Sequence, residues 1–442
     1  MLSSRDIILL CAVAASLPFC FLRPVYGVMV WTILGFLNPQ AFTWGISRTL
    51  PLAQAVAIPT LAGFVVFARP RRLLCREAGF LAILWVWFTA TTLVSSYSVA
   101  FAEKNAMAWF RWGFVSKIML MALVTIGVMD GRERLRLLVL SIGGSFALLV
   151  FKTLPSMVAS GGEFRVYGPD NSMIGDNNAF GLAIGMAVPF FYTLAKTEGS
   201  RMAKWFFGTA FVLGIPTIFF TYSRGALVGL VAMGGYMLLR SNQRILVILL
   251  AVVSVLFAAV VTPQKWKDRM SHVTDAQESS ARSRLNSWTY SWNLANAYPL
   301  MGGGFEAFTP SLYAQYAPNP RDVHGPHSIY FGVLAEHGYP GFVLYFSIVL
   351  YCFVSLGRTI HRARRCDDEQ TENYAHMLRF SLISFLACGA FLGHTYFDLY
   401  FAILSCAAIL RQVSNQEELA TEDSEDECEI DASGVGVSYA GM

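Results

Sequence analysis

Charge is scarce in this 442-residue chain: 14% of the residues are Asp, Glu, Lys or Arg, while 55% are hydrophobic. Soluble domains carry roughly 25% charged residues, so the composition excludes an ordinary cytoplasmic enzyme. Cysteine is missing from the one long polar stretch, residues 263–326. Six of the eight cysteines (Cys11, Cys20, Cys75, Cys352, Cys388 and Cys406) lie in or beside apolar runs, and Cys366 and Cys428 lie in other polar parts. A disulfide framework or a cysteine nucleophile in that stretch is therefore excluded. Internal repeats of the kind that mark many secondary transporters are also absent. No basic segment precedes the first apolar run and no small-residue cleavage site follows it, which argues against a cleaved signal peptide.

Apolar runs are what the chain has in abundance. Stretches near the ~20 residues needed to cross a hydrocarbon core fall at 7–22, 24–38, 52–68, 79–96, 113–129, 134–151, 177–195, 204–221, 225–239, 244–262, 341–357, 377–394 and 396–411. The first two are divided by Arg23-Pro24. The expectation is an all-α polytopic membrane protein with 12 or 13 transmembrane helices and one long, partly helical outer loop. Three regions are anticipated: a membrane part over 1–164, a core over 165–412 that includes the loop 263–326, and a tail over 413–442.

The net charge of +4 conceals an uneven distribution. Residues 415–442 hold nine acidic side chains and no Lys or Arg, so the rest of the chain carries +13. Basic residues gather at every second connection: Arg69, Arg71, Arg72 and Arg76; Arg132, Arg134 and Arg136; Lys196, Arg201 and Lys204; Arg240 and Arg244; and Arg358 to Arg365. Nineteen basic residues fall on that side, with Arg23, Arg379 and Arg411, against eight on the other outside the long loop. Cytoplasmic connections collect Lys and Arg, which predicts a cytoplasmic tail, a long loop on the outer face, and an outer N-terminus if all thirteen spans form. The tail, with Glu422-Asp423-Ser424-Glu425-Asp426-Glu427, is too polar to bury a core and reads as disordered. Six basic and five acidic residues nearly cancel in 263–326, so a nucleic-acid surface is not indicated.

Four outer features have residues suited to chemistry. In His324-Gly325-Pro326-His327-Ser328 a neutral imidazole could serve as general base for a hydroxyl; the alternatives are a polar turn or helix cap, or a metal site through Asp322, His324 and His327, for which HxxH in a loop is weak support. Arg224, in Tyr222-Ser223-Arg224-Gly225, lies on the side where basic residues are fewer, and a charge between two spans either marks a site or snorkels. On a helix predicted over 280–297, Arg284 lies four residues before Trp288 and so shares its face, with Arg282 as its competitor. Two guanidinium groups can hold a diphosphate bidentately; a solvated helix face is the plainer reading. Before the 177–195 span, Arg165, Tyr167, Asp170, Asp176, Asn177 and Asn178 suit sugar or head-group contact, and Asp176 equally suits a helix N-cap.

Arg284-Leu285-x-x-Trp288, Tyr298-Pro299-Leu300, Gly302-x-Gly304, His327-Ser328 and Ala335-Glu336-x-Gly338-x-x-Gly341 together resemble the signature of the O-antigen ligase and polymerase family of bacterial membrane glycosyltransferases. Tyr222-Ser223-Arg224-Gly225 and Asp176-Asn177-Asn178 fall in that family's order, so the resemblance spans roughly 165–357. The N-terminal stretch, with Gly35-Phe36-Leu37-Asn38-Pro39, is similar to the O-glycosylation ligases that accompany exosortase systems. The resemblance implies transfer of a glycan from an undecaprenyl-diphosphate carrier to an acceptor hydroxyl of a protein, lipid or glycan, at the periplasmic face, with no metal or other cofactor. By position, His327 would be the base and Arg284 and Arg224 would hold the diphosphate; Arg282, His324, Arg165, Asn178 and Glu336 would line the substrates. Ser328 stands where the family usually has Asn. Two other activities fit the same composition: a polymerase joining lipid-linked repeats, and a flippase of lipid-linked sugar, which would place polar groups near the bilayer midplane.

Overall fold

The computed structural model describes residues 3–67, 73–160, 164–240 and 273–432. The span expected at 244–262, the basic cluster Arg69 to Arg72 and the first ten residues of the outer loop lie outside them. The described residues form fourteen α-helices and no strand, an all-α polytopic membrane fold. They are α1 (Ser4–Leu22), α2 (Pro24–Phe36), α3 (Leu52–Phe67), α4 (Arg76–Ser96), α5 (Asn105–Val128), α6 (Arg132–Ala159), α7 (Asn177–Thr197), α8 (Arg201–Phe220), α9 (Arg224–Arg240), α10 (Val273–Ala297), α11 (Pro310–Tyr316), α12 (Ile329–Arg365), α13 (Glu369–Gly389) and α14 (Asp398–Ala432). Seven described helices are long and apolar enough to cross a membrane, and α2, α3 and most of α9 are shorter apolar helices.

Local chemistry sets the helix ends. Ser3 and Asp6 form a reciprocal capping box at α1, and Asp6 also accepts the Ser47 N–H at 3.0 Å, tying α1 to the α2–α3 connection. Pro24 opens α2 at its first position, where its missing N–H costs nothing. The α1–α3 group has its own small core, and Gly63 lets α3 approach within van der Waals range of the Phe21 carbonyl of α1, a space a Cβ would fill.

The centre of the molecule is α7. Nearly all its faces are buried, against α6, α8, α9 and α13, as expected of a helix that is apolar all round. At its C-terminal end the charged turns close on one another: Arg132 bonds Asp368 in bidentate fashion (2.9 and 2.5 Å), Arg136 bonds Glu198 (2.9 and 2.6 Å), and Lys196 reaches Glu369 (3.0 Å). Arg411 and Glu77 form a further bidentate pair, at 2.6 and 2.7 Å. At the other end of α7, Arg48 pairs with Asp170 at 2.9 Å. The start of α1 therefore lies at the end where α7 begins.

Two expectations change. The acidic tail, expected to be disordered, continues α14 as far as Ala432; a helix already nucleated in the membrane extends through Glu-rich sequence with no new nucleation step. The apolar runs 377–394 and 396–411 are separated by an eight-residue connection, 390–397, between α13 and α14, so His394 lies in a loop and not in a span.

Candidate active site

Three chain segments are stitched together where α7 begins. The α8–α9 turn passes through Tyr222 in a left-handed conformation (φ 55°) and delivers Arg224 as the first residue of α9. The Asn177 side chain donates to the Thr221 carbonyl (2.8 Å), and the Val166 N–H to the Phe220 carbonyl (2.9 Å), so the segment before α7 is laid on that turn. Arg165 is exposed and flanks it. Asp176 is the N-cap of α7, accepting the N–H groups of Asn178 (2.8 Å) and Ala179 (3.0 Å), and half-buried Asn178 sits in the first turn.

The histidine loop is positioned by α10. Asn286 donates to the carbonyls of Asn319 (3.0 Å) and Asp322 (3.1 Å) and accepts the Asn319 N–H (2.8 Å). Ser287 and Tyr313 both donate to the His324 carbonyl, and Trp288 Nε1 donates to the Pro326 carbonyl at 2.8 Å while its ring stacks on Phe331. Residues 319–326 are thus held through their main-chain carbonyls by three consecutive side chains of α10 and by Tyr313 of α11. His327 follows in a left-handed conformation (φ 45°), and Ser328 caps α12 with no side-chain capping bond. His324 Nε2 lies 2.8 Å from Asp322 Oδ1. Among the described residues no three His, Cys, Asp or Glu side chains gather at metal-binding spacing.

Arg224, Arg284 and His327 come together here. Burial draws the Arg284 guanidinium below its usual range and the neighbouring charge of Arg224 adds to this, yet arginine keeps its proton. Neither Arg224 nor Arg284 has a carboxylate within ion-pair distance among the described residues. Burial, then the charge of Arg284, lowers the pKa of His327 below the usual 6.5, which keeps its imidazole neutral and able to accept a proton near pH 7. It is Arg284 whose charge bears on both Arg224 and His327; Arg282, half a turn away, is exposed. Sequence reasoning missed His394, whose Nε2 stands 3.6 Å from Asp176 Oδ2; Gly393-His394 inside an apolar run was the signal available.

Glu336 belongs to a different, buried cluster. It accepts the Glu306 N–H (2.8 Å) and the Tyr396 hydroxyl (2.5 Å), and Tyr396 also bonds His337 Nε2 (2.7 Å). The glycine motifs around it form an interlock. Gly338 breaks α12 with φ 67°, and the carbonyls of Ala335 and Glu336 take the N–H groups of Gly303 (2.8 Å) and Gly304 (2.7 Å). Tyr339 N–H returns to the Pro299 carbonyl at 2.9 Å. A Cβ at Gly302 or Gly338 would sit under 3 Å from main-chain atoms of the partner segment, so two motifs far apart in sequence are the two sides of one contact.

Residues 209–346 match the model of a family described as O-antigen ligase, and residues 4–196 match a family of unknown function. No curated protein matches the chain significantly. The O-antigen ligase match holds Arg224, Arg284, His327 and both glycine motifs; it is shorter than the motif-based span, so Arg165 and Asp176 fall in the N-terminal match and His394 beyond both. The stretch that carries Arg224, Arg284 and His327 is thus similar to the O-antigen ligase family, in a chain with the apolar helices of a multi-pass membrane protein.

Proposed function

We propose that the protein transfers a glycan from an undecaprenyl-diphosphate carrier to an acceptor hydroxyl at the periplasmic face of the bacterial inner membrane, without a metal. The observation that carries this reading is the pairing of two arginines that lack carboxylate partners among the described residues with a histidine kept neutral beside them. The acceptor oxygen attacks the anomeric carbon, its proton passes to His327, and the bond to the carrier diphosphate breaks. Charge develops on the departing diphosphate, where the forked guanidinium groups of Arg284 and Arg224 stabilise it most at the transition state. The bias of basic residues toward the opposite end supports a periplasmic site. The N-terminal likeness to exosortase-associated ligases supports a protein acceptor, with lipid or glycan acceptors distinguished by the product.

The test is transfer in a deletion strain complemented with His327→Ala or Arg284→Ala. Both are expected to abolish the glycosylated product while the protein inserts and accumulates; wild-type transfer by both ends the assignment. A ladder of repeat lengths on the carrier lipid would identify a polymerase instead. Chelator treatment of purified protein is expected to leave transfer unchanged, and loss reversed by a divalent ion would overturn the metal-free scheme.

A further inference from the structure

Two titratable groups beside His327 have no part in the scheme above. The Asp176 carboxylate is fixed by the helix it caps: Oδ1 accepts two N–H groups of α7, which leaves Oδ2 facing His394 Nε2 at 3.6 Å, an electrostatic contact longer than a hydrogen bond. The other ring nitrogen of His394, Nδ1, is buried with no hydrogen-bond partner among the described residues. His394 is carried on the 390–397 connection, and the preceding Gly393 packs on the backbone of His327, so close that a Cβ there would stand 3.5 Å from its Cα and N. Two residues beyond His394, Tyr396 is clamped from inside the bundle. Its single hydrogen goes to Glu336 Oε2 (2.5 Å), leaving the phenol oxygen to accept from His337 Nε2 (2.7 Å), and His337 Nδ1 meets Thr91 Oγ1 (2.7 Å). The buried cluster around Glu336 thus holds the turn that sets Gly393 against His327 and His394 against Asp176.

We infer that Asp176 and His394 form a charge-sharing pair that sets the protonation of His327, Asp176 being the counter-charge for its imidazolium and His394 the competitor for that carboxylate. The charges that bear on His327 are those of Arg284 in α10, His324 in its own loop, His394 in the 390–397 connection and Asp176 at the start of α7. Asp176 is the one carboxylate among them. Burial pushes its pKa up, but the His394 imidazole and the N–H groups of Ala179 and Asn178 outweigh this and hold it below the usual range, so the counter-charge is present wherever His327 titrates. His394 and Asp176 are positioning residues in this assignment: they act on the reaction through His327. Only the catalytic consequence rests on the proposed function; the electrostatic coupling does not.

Removing the two members should move His327 in opposite directions. Without the Asp176 charge the imidazolium loses its counter-ion and His327 becomes harder to protonate. Without His394 the Asp176 carboxylate is left wholly to His327, so His327 becomes easier to protonate. A pair that merely capped and packed would move both variants alike. The readout is carbethoxylation of neutral imidazole by diethylpyrocarbonate in the purified full-length protein, with the His327 peptide quantified by mass spectrometry across pH. Asp176→Asn keeps the helix cap, since Asn is among the best N-cap residues, and Asp176→Ser is a second cap-preserving variant; His394→Gln keeps an N–H donor. Relative to wild type, the half-reaction pH of His327 is expected to fall in both Asp176 variants and to rise in His394→Gln. Each shift should be on the order of half a unit to one unit, roughly three- to tenfold in rate on the acid limb. Shifts of the same sign, or none, overturn the inference. Opposite shifts in modification that leave the acid limb of transfer in place would uphold the pair while removing His327 as the base.

Discussion

At the two ends of α7 arginine is used under opposite conditions. Where α7 ends, Arg136 and Arg411 are locked to Glu198 and Glu77, carboxylates only 4% and 1% exposed, and Arg132 is paired with Asp368. Where it begins, Arg224 and Arg284 stand near each other, with no carboxylate in ion-pair range among the described residues and with like charge as a neighbour. A paired buried arginine is satisfied and holds helices together; exposed Arg224 and half-buried Arg284, with no carboxylate in range among the described residues, repel each other, and an anion between them would relieve that repulsion. Pairing is not confined to one end, since Arg48 meets Asp170 where α7 begins; what sets Arg224 and Arg284 apart is that no carboxylate stands in range of either among the described residues.

Substitution should separate the two ends most sharply. Arg224→Ala is expected to lower transfer about 10²–10³-fold, the scale of removing one preorganised charge-stabilising donor, with no loss of thermal stability and a gain if like-charge repulsion dominates. Arg411→Ala should do the reverse: it strands the Glu77 carboxylate and costs about 3–5 kcal/mol of stability, while transfer per folded molecule stays near wild type. Thermal unfolding in detergent beside a transfer assay checks both. Stability loss in the first variant, or transfer loss without stability loss in the second, would erase the contrast.

The next effect in size is the dependence on pH. Because burial and Arg284 lower the His327 pKa, the base stays neutral above its titration and is lost as pH falls through it. The acid limb of kcat/KM is therefore expected below about pH 6.5, with a tenfold fall per unit beneath it. Arg284→Gln removes a cation and should raise that limb; an acid limb unmoved in the residual activity would mean that another group titrates. The paired arginines at the opposite end should not shift it.

What was legible in the sequence follows the same division. Helices were legible because apolar runs of membrane-crossing length have few other outcomes, and Arg224 was noticeable because it stands between two apolar runs; Arg284, two residues from Arg282 in a charged stretch, was singled out by its spacing to Trp288 and by its motif. Asp176 was legible as an N-cap from its place before an apolar run. Partners were not: Arg132 meets Asp368 across 236 residues and Arg411 meets Glu77 across 334, distances at which composition carries no pairing information. Glu336, set beside substrate by its motif, instead accepts from Tyr396 in the buried clamp. His394 was hidden because Leu392, Tyr396 and Phe397 around it are apolar, so a hydropathy window reads through the Gly393-His394 break.

The smallest predicted effect concerns how the uncharged contacts of the site end transmit position. Trp288 shares its helix with Arg284, and its Nε1–H meets the carbonyl of Pro326, the residue before His327. Trp288→Phe keeps an aromatic face for Phe331 but loses that hydrogen bond, a net change of about 0.5–1.5 kcal/mol. Stability should barely change, since the loop retains the bonds from Asn286, Ser287 and Tyr313. Transfer should fall several-fold in kcat with KM unchanged, because a base displaced by a fraction of an ångström fails in the transition state more than in binding. A rise in KM at constant kcat would show instead that Trp288 contacts substrate directly.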